Sequence, residues 1–279
     1  MRFIGLDLAW GAKNPSAAVT LEWNAATQSL MPISVAEMLT DDDSICGYIR
    51  GNDADGGGLI VGVDAPLDVP NETGERPVES ILRRCFGKYQ AGAHPANRSL
   101  YKGDIRGERL AERFQNEHDL ISHFHFMPRD PNARNVIEVF PHPAMVVLFD
   151  LDKTLKYKLK KGRDTASRMA EFARFSEGLR SLQNAEPTLD TPEWLHSPDW
   201  FRTNPIVTQS ALKRIEDTMD ALVCAYVAAY FWYWGEGEKC MVIGDKATGY
   251  VVTPITPELR LCVEEKSRMF FETNETQSK

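Results

Sequence analysis

Aspartates at the ends of otherwise apolar strands constrain this chain most. Asp7 follows Phe3-Ile4-Gly5-Leu6, and Asp64 closes Leu59-Ile60-Val61-Gly62-Val63. A carboxylate leaving an apolar strand is costly to desolvate unless it is paired, hydrogen-bonded or bound to a cation. Asp217 and Asp220 add two more in Glu216-Asp217-Thr218-Met219-Asp220-Ala221-Leu222, where i,i+3 spacing sets both on one helix face. Oxygen ligands converging from distant segments suit a hard cation, Mg²⁺ or Mn²⁺.

The pattern around these residues predicts an α/β chain. Residues 2–9, 16–23 and 27–33 read as an antiparallel meander, with Phe3, Gly5 and Asp7 on one face of the first strand and Ile4 and Leu6 on the other. Gly11-Ala12-Lys13-Asn14-Pro15 is turn chemistry. Ser34-Val35-Ala36-Glu37 has the form of a capping box and predicts a helix running towards Arg50. Residues 51–58 form a Gly/Asp-rich linker, and the apolar run 59–65 suits a buried central strand ended by Pro66.

Further on, helices are expected over 77–86, 106–122, 143–150, 164–183 and 208–234. Strands are expected over 135–140, with Glu138 inside, and at 242–245 and 250–252. Residues 151–205 read as a helical insertion within one domain spanning 1–265, followed by a charged, flexible tail over 266–279.

The net charge of -8 counts against broad contact with nucleic acid, because phosphate contacts need Lys and Arg. The basic run Lys153, Lys156, Lys158, Lys160, Lys161 and Arg163 is the local exception, readable as a phosphate-tracking strip or as a solvated surface. Arg76, Arg83, Arg84 and Arg98 form a second candidate phosphate-contacting set. The five cysteines make no C-x-x-C pair. With no signal-peptide pattern at the N-terminus, they predict a cytoplasmic protein with free thiols. The longest apolar run, Ala221 to Trp234, is shorter than the roughly 20 residues of a membrane span.

The strings Gly5-Leu6-Asp7-Leu8-Ala9-Trp10, Val63-Asp64-Ala65-Pro66-Leu67, Glu138-Val139-Phe140-Pro141-His142-Pro143 and Glu216-Asp217-Thr218-Met219-Asp220-Ala221-Leu222 resemble the motifs of the domain-of-unknown-function family 429. Members of that family are described as predicted RNase H-like nucleases. The resemblance implies a mixed five-stranded RNase H-like sheet with helices on both faces. The late-helix motif is also similar to that of RuvC-type resolvases.

Carried over, Asp7 would be the first-strand carboxylate bridging two metals. Asp64 would be the ligand after the fourth strand, and Asp220 the last-helix ligand with Asp217 one turn earlier. Glu138 belongs to the family pattern; it either joins the site or pairs with an arginine from 76–98. His142 is a candidate proton carrier. The implied function is divalent-metal-dependent cleavage of nucleic acid or another phosphate ester.

Two rivals stand beside it. One is an ATP-binding phosphotransferase of the actin and sugar-kinase type, for which residues 11–15 make a poor phosphate loop. The other is a non-catalytic binding protein on the same fold. Each aspartate also has a plainer reading: amide capping for Asp7, a turn for Asp64, and helix-dipole compensation for Asp217 and Asp220.

Overall fold

The computed structural model describes residues 1–11, 14–54, 56–191 and 208–277. Strands β1 (Arg2–Asp7), β2 (Ser16–Asn24), β3 (Ser29–Leu39), β4 (Leu59–Val63), β5 (Ile121–Ser122), β6 (Arg134–Glu138) and β7 (Thr188–Leu189) form one mixed sheet. Its order is β5-β6-β4-β1-β2-β3-β7. β1, β2 and β3 make the antiparallel meander, and β4 and β6 add in parallel beyond β1.

The sheet among the described residues is therefore seven-stranded rather than five-stranded, because two-residue strands β5 and β7 extend its edges. β5 lies inside the stretch expected as helix 106–122. The helix α3 (Arg106–His118) stops earlier, where Asp119 turns left-handed at φ 52°.

The helix expected from Ser34 is also corrected. Ser34, Val35 and Ala36 instead pair with Thr20, Val19 and Ala18 of β2. Those ladder bonds and the β-branched Ile33 and Val35 override the local cap signal. The capping box falls later, where Asp41 and Ser44 bond each other reciprocally and open α1 (Asp42–Asn52).

The two sheet faces follow the strand alternation. Ile4, Leu6, Val61 and Val63 pack against Ile45 and Ile49 of α1 and Leu110 and Phe114 of α3. Phe3, Val19, Leu21 and Ile60 pack on the other side beneath α6 (Gln209–Trp234), with α4 (Pro141–Leu148) and α5 (Thr165–Ser181) in the same core. Tyr157, Phe172, Phe175 and Leu179 belong to that core, so residues 155–181 are built into the main body. The Pro- and Trp-containing stretch 192–205 lies outside the described residues, as do residues 12 and 13 of the expected first turn.

One local device seats α6. Gly5 and Gly62 are register partners on β1 and β4. A Cβ on Gly5 would lie 1.8 Å from the Ala221 carbonyl oxygen, and one on Gly62 2.7 Å from that of Cys224. The helix backbone thus rests directly on the sheet, and only glycine allows that approach.

A third layer forms from the hairpin β8 (Cys240–Asp245) and β9 (Gly249–Pro254), with α2 (Pro77–Phe86) and α7 (Pro257–Gln277). α7 carries helical backbone through the segment 266–277 expected as a tail. Cys85 of α2 is disulfide-bonded to Cys262 of α7, with Cα atoms 5.8 Å apart. That corrects the expectation of free thiols for this pair; the burial of both helices against the hairpin brings together cysteines far apart in sequence. Cys46, Cys224 and Cys240 are free and buried. Among the described residues no helix is long and apolar enough to cross a membrane.

Candidate active site

The four sequence-selected aspartates come together above the C-terminal ends of β1 and β4. Asp7 is the last residue of β1. Asp64 follows β4, and its amide donates to the Leu6 carbonyl at 2.9 Å, which ties the two strand ends together. Asp217 and Asp220 are buried in α6, two turns or more inside its start at Gln209. The helix-dipole reading fails there, because that effect fades beyond the first turn. The glycine seat under Ala221 and Cys224 sets both carboxylates over the strand ends.

Residues 153–160 supply the counter-charge. Lys158 Nζ lies 2.9 Å from Asp220 Oδ2, and the Tyr157 hydroxyl donates to Asp220 Oδ1 at 2.6 Å. Lys213, one turn before Asp217, lies 2.6 Å from its Oδ1. Burial holds the Asp7 carboxyl well above the usual carboxylate range; the charges of Asp220, Asp64 and Asp217 add to this and Lys158 opposes it. Burial pushes Asp64 up to about 7, with Lys158 opposing and Asp220 and Glu138 adding. Asp217 is raised by burial against the pull of Lys213, and shares a hydrogen bond with Asp7. For Lys158, burial disfavours the charge, but Asp220, Asp7 and Asp64 hold the ammonium well above its usual range.

The donor set is one of oxygens, and the buried Asp217 Oδ1 and Asp220 Oδ2 each face a lysine ammonium, Lys213 at 2.6 Å and Lys158 at 2.9 Å. Clustered carboxylate oxygens are the donors a hard divalent cation takes. The aspartate oxygens do not form a tight trio: among the described residues, the three ligand atoms lying within 4.8 Å of one another are those of Cys46, Glu117 and His118. That group packs on the α1–α3 side of the sheet. Its Glu117 already accepts from Arg113 at 2.7 Å and pairs with Arg50 at 3.4 Å.

Glu138 is differently employed. Arg76 donates to its two oxygens at 2.6 and 2.9 Å, and the Leu67 amide adds a bond at 2.9 Å. Arg76 also bonds Glu79 at 2.8 Å, all three side chains being buried. Of the two sequence readings of Glu138, pairing with an arginine describes its contacts, although it remains close enough to raise Asp64. Of the expected arginine set, Arg76 is so occupied, Arg83 and Arg98 are paired to Glu75 and Glu108, and Arg84 is exposed on α2. His142 is held neutral, its pKa lowered to about 3 by burial and then by Lys158, with Nδ1 3.2 Å from the Thr154 hydroxyl.

A cavity of about 360 Å³ opens beside Asp7 and Asp64. Glu138 and His142 line it, and Lys156, Lys158, Lys160 and Arg163 contribute from the basic run. It therefore has an acidic side and a basic side.

The family described as proteins of unknown function, DUF429, matches residues 5–248. The chain belongs to the DUF429 family. No curated protein and no solved structure matches it significantly. The match to DUF429 takes in all four aspartates, Glu138 and the whole basic run, so the site is framed by family sequence. Sequence reasoning reached the carboxylates of this DUF429 chain but not the place of Lys158 among them. A signal was present: Leu155 and Tyr157 alternate with Lys156, Lys158 and Lys160, so one side of an extended segment enters the core and the other lines the cavity.

Proposed function

We propose that this DUF429 protein is a divalent-metal-dependent hydrolase of a phosphodiester or another phosphate ester, of RNase H-like type. The observation that carries the reading is the convergence of Asp7, Asp64, Asp217 and Asp220 from two strand ends and one helix, where burial and neighbouring carboxylates raise Asp7, Asp64 and Asp217. The element order supports it too. A three-stranded meander, parallel strands added beside β1, and a late helix bearing two aspartates follow the arrangement the resemblance implies.

The four aspartates would hold Mg²⁺ or Mn²⁺, with Asp7 central. The bound cation supplies electrophilic stabilisation of the charge that develops on phosphoryl oxygens during in-line displacement. Asp64 would stay ionised as one of the ligands, and the proton released by the attacking water would pass to solvent. The Lys158 ammonium, drawn towards Asp220, Asp7 and Asp64, meets the phosphate's negative charge at the same place. Tyr157 fixes the Asp220 carboxylate, and the Arg76–Glu138–Glu79 group stiffens the cavity wall.

A scaffold on the same fold has no need for four desolvated carboxylates gathered between Lys158 and Lys213. The test is hydrolysis of bis(p-nitrophenyl) phosphate in Mn²⁺, comparing wild type with Asp7→Asn, both verified as folded by circular dichroism. The reading expects metal-dependent turnover that Asp7→Asn loses by at least about a hundredfold. Undiminished turnover in that variant refutes it.

A further inference from the structure

We propose that the cavity takes a nucleotide end, in which a terminal phosphate sits against Lys156, Lys160 and Arg163 while the neighbouring phosphate ester lies at the aspartates. This deepens the phosphodiesterase reading and rests on it for the second phosphate; the first is argued from the basic wall alone.

Size sets the first limit. A cavity of about 360 Å³ is on the scale of a site for one small molecule. It is not a surface that follows many phosphates, and a chain of net charge -8 repels a long polyanion elsewhere. What enters is small, or is the end of something longer.

Charge sets the second. On the proposed reading, the phosphate at the reacting position would already be met by Lys158 and by the cation that the aspartates would hold. The remaining basic wall is surplus to that need. Among the described residues no carboxylate pairs with Lys156, Lys160 or Arg163. The Lys156 ammonium bonds the neutral Gln90 side chain, Arg163 donates to the Lys158 carbonyl at 2.9 Å, and Lys160 is exposed. Burial, followed by the charges of Arg163 and Lys160, lowers the pKa of Lys156, and Glu171, whose carboxylate accepts from the Lys156 amide, opposes this only in part. Elsewhere in this acidic protein Arg83, Arg98, Arg106 and Arg134 each have a carboxylate partner. A cation cluster without carboxylate ion pairs, lining a cavity, is a site for a second anion.

An aromatic platform completes the match. Trp10 lines the cavity and is 46% exposed. Its indole nitrogen bonds the Asp64 carbonyl at 3.4 Å, and its ring is held edge-on by Tyr101 with centroids 5.6 Å apart. An exposed, positioned indole beside the reacting carboxylates offers a face on which a base stacks.

The test is calorimetry in EDTA with two probes, thymidylyl-thymidine with and without a 5′-phosphate. The expected result is at least about tenfold tighter binding of the phosphorylated dinucleotide, the value of one charge-assisted contact. That advantage falls to within about twofold in Lys160→Ala/Arg163→Ala, and also shrinks in Lys160→Glu, whose exposed position cannot disturb the core. It persists in Asp7→Asn, so a failed hydrolase reading and a failed basic-wall reading give different results. A 5′-phosphorylated dodecathymidylate separates the sources: affinity equal to the dinucleotide identifies a strand end, and tenfold weaker binding identifies a free nucleotide. Equal affinity for the two dinucleotides in wild type, or tighter binding of blunt duplex DNA than of either, overturns the proposal.

Discussion

At the scale of single residues, Lys158 is the pivot of the site. It is the cation that Asp220 contacts and that Asp7 and Asp64 feel, with its own side chain 28% exposed and that of Asp220 fully buried. Removing one partner of such a pair leaves uncompensated buried charge. Lys158→Ala should therefore lose about 3 kcal/mol in urea unfolding at pH 7. Added Mn²⁺ should restore most of it, whereas wild type should gain less. Asp64 gives the pH dependence. Its pKa near 7 lies above the roughly 4 of an unfolded aspartate, so between those values the folded chain holds a proton that the unfolded chain has released. This contribution is fully present below about pH 4 and is lost as pH rises through 7. Burial of Asp7 and Asp217 acts in the same direction. Metal-free stability should fall across that window in urea titrations, and Asp64→Asn should flatten the slope.

At the scale of elements, the glycine pair on β1 and β4 is what turns four acidic residues into a site. Gly5→Ala places a methyl against the α6 backbone, 1.8 Å from the Ala221 carbonyl oxygen, with no flexible side chain to give way. It should cost at least about 3 kcal/mol by thermal unfolding and displace Asp217 and Asp220 from the strand ends. β1, β4, α2 and α6 were legible in the sequence because each carries its own period or boundary: apolar runs closed by Asp or Pro, and a long apolar helix. β3 was not, since the ladder of β2 claimed the Ser34–Glu37 cap signal. β5 and β7 are two-residue edge strands that exist only through their neighbours. In the site, the carboxylates stood out because apolar strands make them anomalous. Lys158 did not, because a lysine-rich run looks solvated until its alternate residues, Leu155 and Tyr157, are found in the core. Glu138 was readable as an acid inside a strand, but its partner Arg76 comes from across the chain.

At the scale of the molecule, the acidic balance and the phosphate-binding reading are reconciled by location. The charge of -8 is spread over the chain, while Lys156, Lys158, Lys160 and Arg163 of the basic run line the cavity that Asp7 and Asp64 also line. The Cys85–Cys262 bond joins the helix that follows Arg76 to the C-terminal helix, which fixes the third layer beside that cavity. The ligand set spans residue 7 to residue 220, so cation binding depends on the whole sheet and on α6 being assembled. The most direct test is a Mn²⁺ titration by calorimetry of wild type, Asp7→Asn, Asp220→Asn and Glu138→Gln. The account predicts binding in wild type, affinity lower by at least about tenfold in both aspartate variants, and affinity within about twofold of wild type in Glu138→Gln, whose carboxylate is engaged by Arg76. Unchanged Mn²⁺ affinity in Asp7→Asn and Asp220→Asn, or no binding by wild type, would contradict it.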